Sequence, residues 1–179
     1  MEKEKQEKEK KIKEDNPMNE VRLEKIVLNC GASGDKLEKS TKLLNLITKR
    51  KVKEVASNKR IPSLGVRPGL KTGCLVTIRG KEKFDLLKRL FGAVNNKIKK
   101  KQIKENHFSF GIKEYLEIPD MEYQRDIGII GLDVTATFTR SGKRVKLKKI
   151  KSGKIPKKMG VSPEEITVFL KNKFGVEIE

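Results

Sequence analysis

The chain has 179 residues, of which 35% are apolar and 37% charged, with 43 Lys and Arg against 24 Asp and Glu for a formal net charge of +19. That length suits one domain with an extension, and a compact domain so charged repels itself unless a polyanion such as a nucleic-acid backbone neutralises it. No run approaches the ~18 apolar residues of a membrane-spanning helix, and the N-terminus MEKEKQEKEKKIKE has no apolar stretch of the kind a secretory signal needs, so a cytoplasmic protein without a membrane partner is expected.

Residues 1–15 open with six Lys and five Glu in the first fourteen positions, a composition expected of a disordered tail. Asn16-Pro17 breaks the chain, and a single domain is expected over residues 16–179. Arg22-Leu23-Glu24-Lys25-Ile26-Val27-Leu28-Asn29 reads as a first strand. Gly31-Ala32-Ser33-Gly34 reads as a turn. Asp35 is placed to cap a helix running to about Lys49, with Leu37, Leu44 and Ile47 on one face. Residues 51–61 are basic and strand-like. Pro62, Gly65, Pro68 and Gly69 then break regular structure repeatedly and mark an extended loop.

Residues 70–79 return as a strand rich in Val, Ile, Leu and Thr. From Lys81 to about Ile98 the residues Phe84, Leu87, Phe91, Val94 and Ile98 recur at three- and four-residue steps, which predicts a helix with a core-facing stripe. Residues 107–115 carry three aromatics and are expected to pair with residues 127–140. In the latter, Leu132, Val134, Ala136 and Phe138 alternate with Asp133, Thr135, Thr137 and Thr139, as in an antiparallel sheet with one face buried. Ser162-Pro163-Glu164-Glu165 is a capping box with Pro at the first helical position. Ile166, Phe169, Leu170 and Phe174 form that helix's apolar face, and Gly175 stops it. The expected fold is α+β: an antiparallel sheet with helices on one face and the other face free.

The densest basic stretch is residues 140–158, with ten Lys or Arg and no acid. Glycines and a proline interrupt it, so it is not one amphipathic helix but an extended arm leaving the sheet. Lys143, Arg144, Lys146, Lys148, Lys149 and Lys151 are expected to neutralise phosphates and fix orientation, with little sequence information of their own. A second patch, comprising Lys49, Arg50, Lys51, Lys53, Lys59, Arg60, Arg67, Lys71 and Arg79, flanks the loop. A loop of this kind serves equally as a tolerated surface excursion or as a contact to a second RNA. The free face, with Asn29, Thr77, Thr135 and Thr137, offers hydrogen-bond groups suited to reading RNA by shape and by sugar and phosphate.

Enzymatic and metal chemistry find little support. Strand, Gly31-Ala32-Ser33-Gly34-Asp35, then helix mimics a nucleotide-binding turn, but neither G-x-G-x-x-G nor G-x-x-x-x-G-K-[ST] occurs. Cys30 and Cys74 are far apart and His107 is the sole histidine, too few for a Cys/His zinc site. Both cysteines follow or lie within apolar runs, where buried thiols are expected. No cofactor is expected. An enzyme acting on RNA would need a specific acid such as Asp133.

Several segments together resemble one family, the universal 5S-rRNA-binding protein of the large ribosomal subunit. They are Asn16-Pro17-Met18 with the first strand, Gly73-Cys74-Leu75-Val76-Thr77-Ile78-Arg79-Gly80, His107-Phe108-Ser109-Phe110-Gly111-Ile112-Lys113-Glu114, and Tyr123 with Ile127-Gly128-Ile129-Ile130-Gly131-Leu132-Asp133. The basic arm and Lys173-Phe174-Gly175-Val176-Glu177-Ile178 resemble the archaeal and eukaryotic members. The chain departs from the family pattern at Lys49-Arg50, usually Gly-Gln, at Leu64, usually Phe, and at Asn106-His107, usually Gly-Asn.

The resemblance implies a curved antiparallel sheet with helices on its convex side, and no catalysis. It implies that the open face and nearby basic residues hold 5S rRNA, with Asn29, Thr77 and Arg79 at family positions on that face. The loop of Pro62, Ser63, Leu64, Gly65, Val66, Arg67, Pro68 and Gly69 would reach P-site tRNA. The arm would run into neighbouring large-subunit rRNA, and the neighbours would be ribosomal proteins of the central protuberance. The competing reading is a free RNA-binding or chaperone protein using the same surface transiently.

Overall fold

The computed structural model describes residues 16–179, so the expected Lys/Glu tail at 1–15 lies outside the described residues. β1 (Arg22–Gly31) is the central strand. Ile26, Leu28 and Cys30 point to one side and are buried, while Lys25, Val27 and Asn29 point to the other. A register shift between Leu23 and Lys25 puts Leu23 on the buried side, out of phase with strict alternation.

β1 is flanked by β3 (Lys71–Ile78) and β7 (Leu132–Thr139), and outside them lie β2 (Lys53–Ala56), β6 (His107–Ile112) and β5 (Ile103–Lys104). The six strands run in the order β2-β3-β1-β7-β6-β5, every neighbouring pair antiparallel. One face of this sheet is packed by α1 (Asp35–Thr48), α2 (Glu82–Gly92) and, after the single turn α3 (Arg144–Leu147), α4 (Pro163–Phe174). The α+β fold expected from the sequence is present.

The core joins Leu43 and Leu44 of α1, Leu87, Leu90 and Phe91 of α2, and Ile166 and Leu170 of α4 to the buried strand residues. Each such side chain contributes on the order of 1.5–3 kcal/mol by leaving water. Phe91 is the hub: its ring stacks on Phe108 at 5.9 Å and Phe110 at 5.7 Å and meets Phe174 edge-on at 5.3 Å. The alternation that put Phe108 and Phe110 on one face therefore served the core.

The caps explain the helix ends. Ser162 Oγ accepts the Glu165 N–H at 3.3 Å, the Glu165 carboxylate accepts the Ser162 N–H at 3.1 Å, and Gly175 closes α4 at φ 64. At α1 the cap position is Gly34, with Asp35 already inside the helix, so Asp35 acts as a first-turn acid rather than as the cap.

Three further expectations need correction. The helix begun at Lys81 ends at Gly92, not Ile98. Asn95 and Asn96 turn the chain in left-handed conformations at φ 52 and 56, which asparagine tolerates. Ile98 stays buried, but in β4 (Lys97–Ile98), which pairs in parallel with β8 (Glu177–Ile178). The apolar stripe was real and passes from a helix to a strand. In the basic stretch 51–61 only β2 is regular strand. The arm at 140–158 is not simply extended: it holds α3 and folds back, with the Gly153 N–H donating to the Val145 carbonyl at 3.2 Å.

Candidate RNA-binding surface

The face of the sheet turned away from the helices is ordered by strand register into rows. In one row Val27 lies between Thr77 of β3 and Thr135 of β7, with Ser109 of β6 beyond. In the next, Asn29 lies between Leu75 and Asp133, with Lys53 of β2 and Gly111 of β6 at the flanks. A third row sets Lys25 beside Thr137 and Thr137 beside His107. Hydroxyls, an amide, an imidazole and two ammonium groups thus share one surface, with Val27 and Leu75 as half-buried apolar points. Such a surface suits sugar and phosphate contacts more than base stacking. Asp133 is the acid within these rows. It opposes phosphate, and it can accept from a 2′-hydroxyl or a base amino group.

Asn29 and Thr77, expected on this face, occupy neighbouring strands there, and Arg79 follows the end of β3, exposed. Lys53, expected with Lys51, Lys59 and Arg60 of the second patch to contact rRNA, belongs to the Asn29 row. Lys25 and His107 were not assigned to this face from sequence. Counting back by twos from Asn29 reaches Lys25, and alternation through Phe108 and Phe110 sends His107 to the open side.

The two other basic features leave the sheet at opposite ends. Thr139, where the arm begins, pairs with Arg22 at the start of β1, whereas Gly73, just beyond the 62–69 loop, pairs with Gly31 at its end. At ~3.3 Å per residue the two departure points are roughly 30 Å apart. The loop braces itself: Ile61 and Val66 exchange both backbone hydrogen bonds, at 2.9 and 3.1 Å. Pro62–Leu64 forms one tight turn, Gly65 sits at φ 65, and Leu64 is 73% exposed at the tip. Arg67 is exposed on its flank, as are Lys59 and Arg60 on the approach.

The arm is anchored before it is displayed. Arg140 pairs with Glu165 of α4, and Lys143 pairs with Glu24 of β1. Lys143 therefore presents less free charge than the sequence implied. Arg144, Lys146, Lys148, Lys149 and Lys151 are exposed and make no ion pair among the described residues. In the second patch Arg50 is engaged by Glu82 and Lys71 by Glu54, each at 2.6 Å, while Lys51 stands exposed. The hydrogen bond and charge of Glu54 raise the Lys71 ammonium above its ordinary value and keep it protonated.

Cys30 and Cys74 are direct cross-strand partners, both buried free thiols. Burial, with the nearby Cys74 and Asp133 adding to it, pushes the Cys30 thiol up to about 12, and burial raises Cys74 as well. Neither forms a thiolate at neutral pH, so this pair fills the core and offers no nucleophile.

Residues 71–162 match the model of the ribosomal L5 family C-terminus. The large ribosomal subunit protein uL5 of Nanoarchaeum equitans is 38% identical over 167 residues, covering 92% of this chain and 99% of that protein. That of Sulfurisphaera tokodaii is 40% identical, covering 91% and 94% of the two chains. That of Archaeoglobus fulgidus is 35% identical, covering 96% and 97%. The chain belongs to the uL5 family. The uL5 family is one of large-subunit ribosomal proteins, structural rather than enzymatic. The residues matched to its model contain Thr77, Arg79 and the whole basic arm.

Two departures from the uL5 pattern gain a physical meaning here. Lys49 and Asn106 stand where the pattern usually has glycine, and both hold left-handed backbone, at φ 51 and 64. The turn geometry that glycine serves is kept without it. Asn106 compensates through its side chain, whose Oδ1 accepts the Val161 N–H at 2.8 Å. Lys49 is exposed, and no side-chain bond among the described residues supports its conformation.

Proposed function

We propose that this uL5-family chain is a structural constituent of the large subunit of cytoplasmic ribosomes. In this reading it binds 5S rRNA through the open sheet face and the arm and helps to anchor the central protuberance, beside large-subunit rRNA and neighbouring ribosomal proteins. It contacts P-site tRNA through residues 62–69.

The observation that carries this reading is the division of the basic surface. The rows around Asn29, Thr77 and Lys53, with Arg79, offer one continuous surface for a first RNA. The arm extends that surface at one end with exposed, unpaired cations, each able to replace counterions on a phosphate backbone. The braced loop projects from the other end, with its exposed tip left for a second RNA in this reading. A protein that holds one RNA while touching another needs this separation.

The test is sedimentation. The tagged chain expressed in cells should comigrate with large subunits through a sucrose gradient and remain there after a high-salt wash. A chain that stays at the top of the gradient, or leaves the subunit at modest salt, fits the transient chaperone reading instead.

A further inference from the structure

Past the end of β7 lies a cavity of about 730 Å³, within the size range of sites for small ligands. It is half open to solvent and bordered by the β5–β6 turn, the returning part of the arm and the start of α4, and the open-face rows do not include it. Ile155 and Met159 supply half-buried apolar lining, whereas the Phe138 ring is held in the core between Phe108 and Phe169, and Lys146 and Lys157 stand at the site without an ion pair among the described residues. Glu105 is the acid in the lining.

Its wall is built in advance. Asn106 and Val161, which both line it, exchange hydrogen bonds, the Asn106 N–H donating to the Val161 carbonyl at 3.0 Å and the Val161 N–H to Asn106 Oδ1 at 2.8 Å. Gly153 lets the arm close, because a Cβ there would come within 2.9 Å of Val145 Cγ1.

We propose that this cavity receives one extrahelical nucleotide of the bound RNA, its base against Ile155 and Met159 and its phosphate against Lys146 and Lys157. The inference rests on the RNA-binding reading above and adds a site to it. An apolar lining beside two free ammonium groups matches a base joined to a single phosphate. A free nucleoside polyphosphate fits poorly. Its grip depends on unengaged backbone N–H groups at a helix start, and at α4 the Ser162 and Glu165 N–H groups are taken by the capping box. Glu105 opposes concentrated negative charge, yet it can accept from a base amino group. Glu105 and Asn106 of the lining directly precede His107, which pairs with Thr137, so the cavity adjoins that end of the sheet.

The test is ultraviolet cross-linking of isolated large subunits that carry the chain, with adducts mapped by mass spectrometry. The proposal expects a nucleotide adduct on Ile155, Lys157 or Met159, and at least a tenfold loss of that adduct in Ile155→Trp, which fills the cavity, while adducts on the open face persist. Adducts confined to the open face and to Lys148, Lys149 and Lys151 in the wild-type chain would overturn it without any variant. Saturation of the purified chain by AMP at micromolar concentration, lost in Ile155→Trp, would overturn it in favour of a free-nucleotide site. A chain absent from large subunits altogether would instead bring down the ribosomal reading on which it rests.

Discussion

The backbones of Asn106 and Val161 are tied in both directions, the Asn106 side chain accepting one N–H at 2.8 Å and the Val161 carbonyl accepting the other at 3.0 Å. This clamp fastens the chain just ahead of α4 to the β5–β6 turn, and it does so from a left-handed residue at φ 64. Asn106→Gly would restore the residue usual in the family and free the backbone, but it removes the side-chain acceptor from Val161. Asparagine tolerates that conformation already, so the lost bond decides the sign. We expect a loss of about 1 kcal/mol, a fall in Tm of roughly 2–4 °C by calorimetry. An increase in Tm would show that backbone relief outweighs the clamp.

Lys49 gives the opposite expectation. It holds φ 51 with an exposed side chain, and its backbone N–H already donates to the Asn45 carbonyl at 2.7 Å. Lys49→Gly removes left-handed strain of roughly 1–2 kcal/mol, partly offset by the greater freedom of glycine in the unfolded chain. The variant should melt a few degrees higher, and an unchanged or lower Tm would mean that the αL geometry here is unstrained.

The arm is testable through counterion release. Lys148, Lys149 and Lys151 are exposed and unpaired among the described residues. Replacing all three with Ala should weaken RNA binding and flatten the slope of log affinity against log salt by roughly 2–3. A slope equal to that of the wild-type chain would sink the assignment of these cations to phosphate.

Deleting residues 63–67 probes the other end of the sheet. The loop leaves beside the Gly31–Gly73 pair, away from the arm. Affinity for 5S rRNA should be unaffected, while retention of P-site tRNA by assembled ribosomes falls. Loss of 5S affinity would assign the loop to the first RNA.

The thiols make a prediction about alkaline pH. The folded Cys30 value, about 12, lies above its ordinary 9.0, so in this range the native state holds a proton that the unfolded chain gives up. That contribution is complete below about pH 9 and is lost as pH rises toward 12. Urea unfolding at intervals across that window should show a steeper decline in the wild-type chain than in Cys30→Val. Parallel declines would mean that the lysines alone govern alkaline stability.

The sequence showed the fold where one physical signal acted alone. Strict alternation through Leu132 and Phe138 gave β7, and Ser162 to Glu165 gave the cap of α4. It misled where two signals overlapped. The stripe from Phe84 to Ile98 keeps helical spacing although the backbone turns at Asn95 and Asn96, because Ile98 reaches the same core by pairing with Ile178. Nothing local at Ile98 announces a partner eighty residues away. The site was legible as residue types: Asn29, Thr77 and the arm cations were visible in the chain. Which cations are already engaged was not, since Lys143 meets Glu24 and Arg140 meets Glu165 only once β1, β7 and α4 are assembled.

The most direct measurement is binding of the purified chain to 5S rRNA at several salt concentrations, with tRNA and duplex RNA as competitors. The account predicts tight binding near physiological salt that survives excess competitor. Binding that every RNA displaces equally, and that vanishes with a modest rise in salt, would contradict it and leave a basic protein with only non-specific affinity.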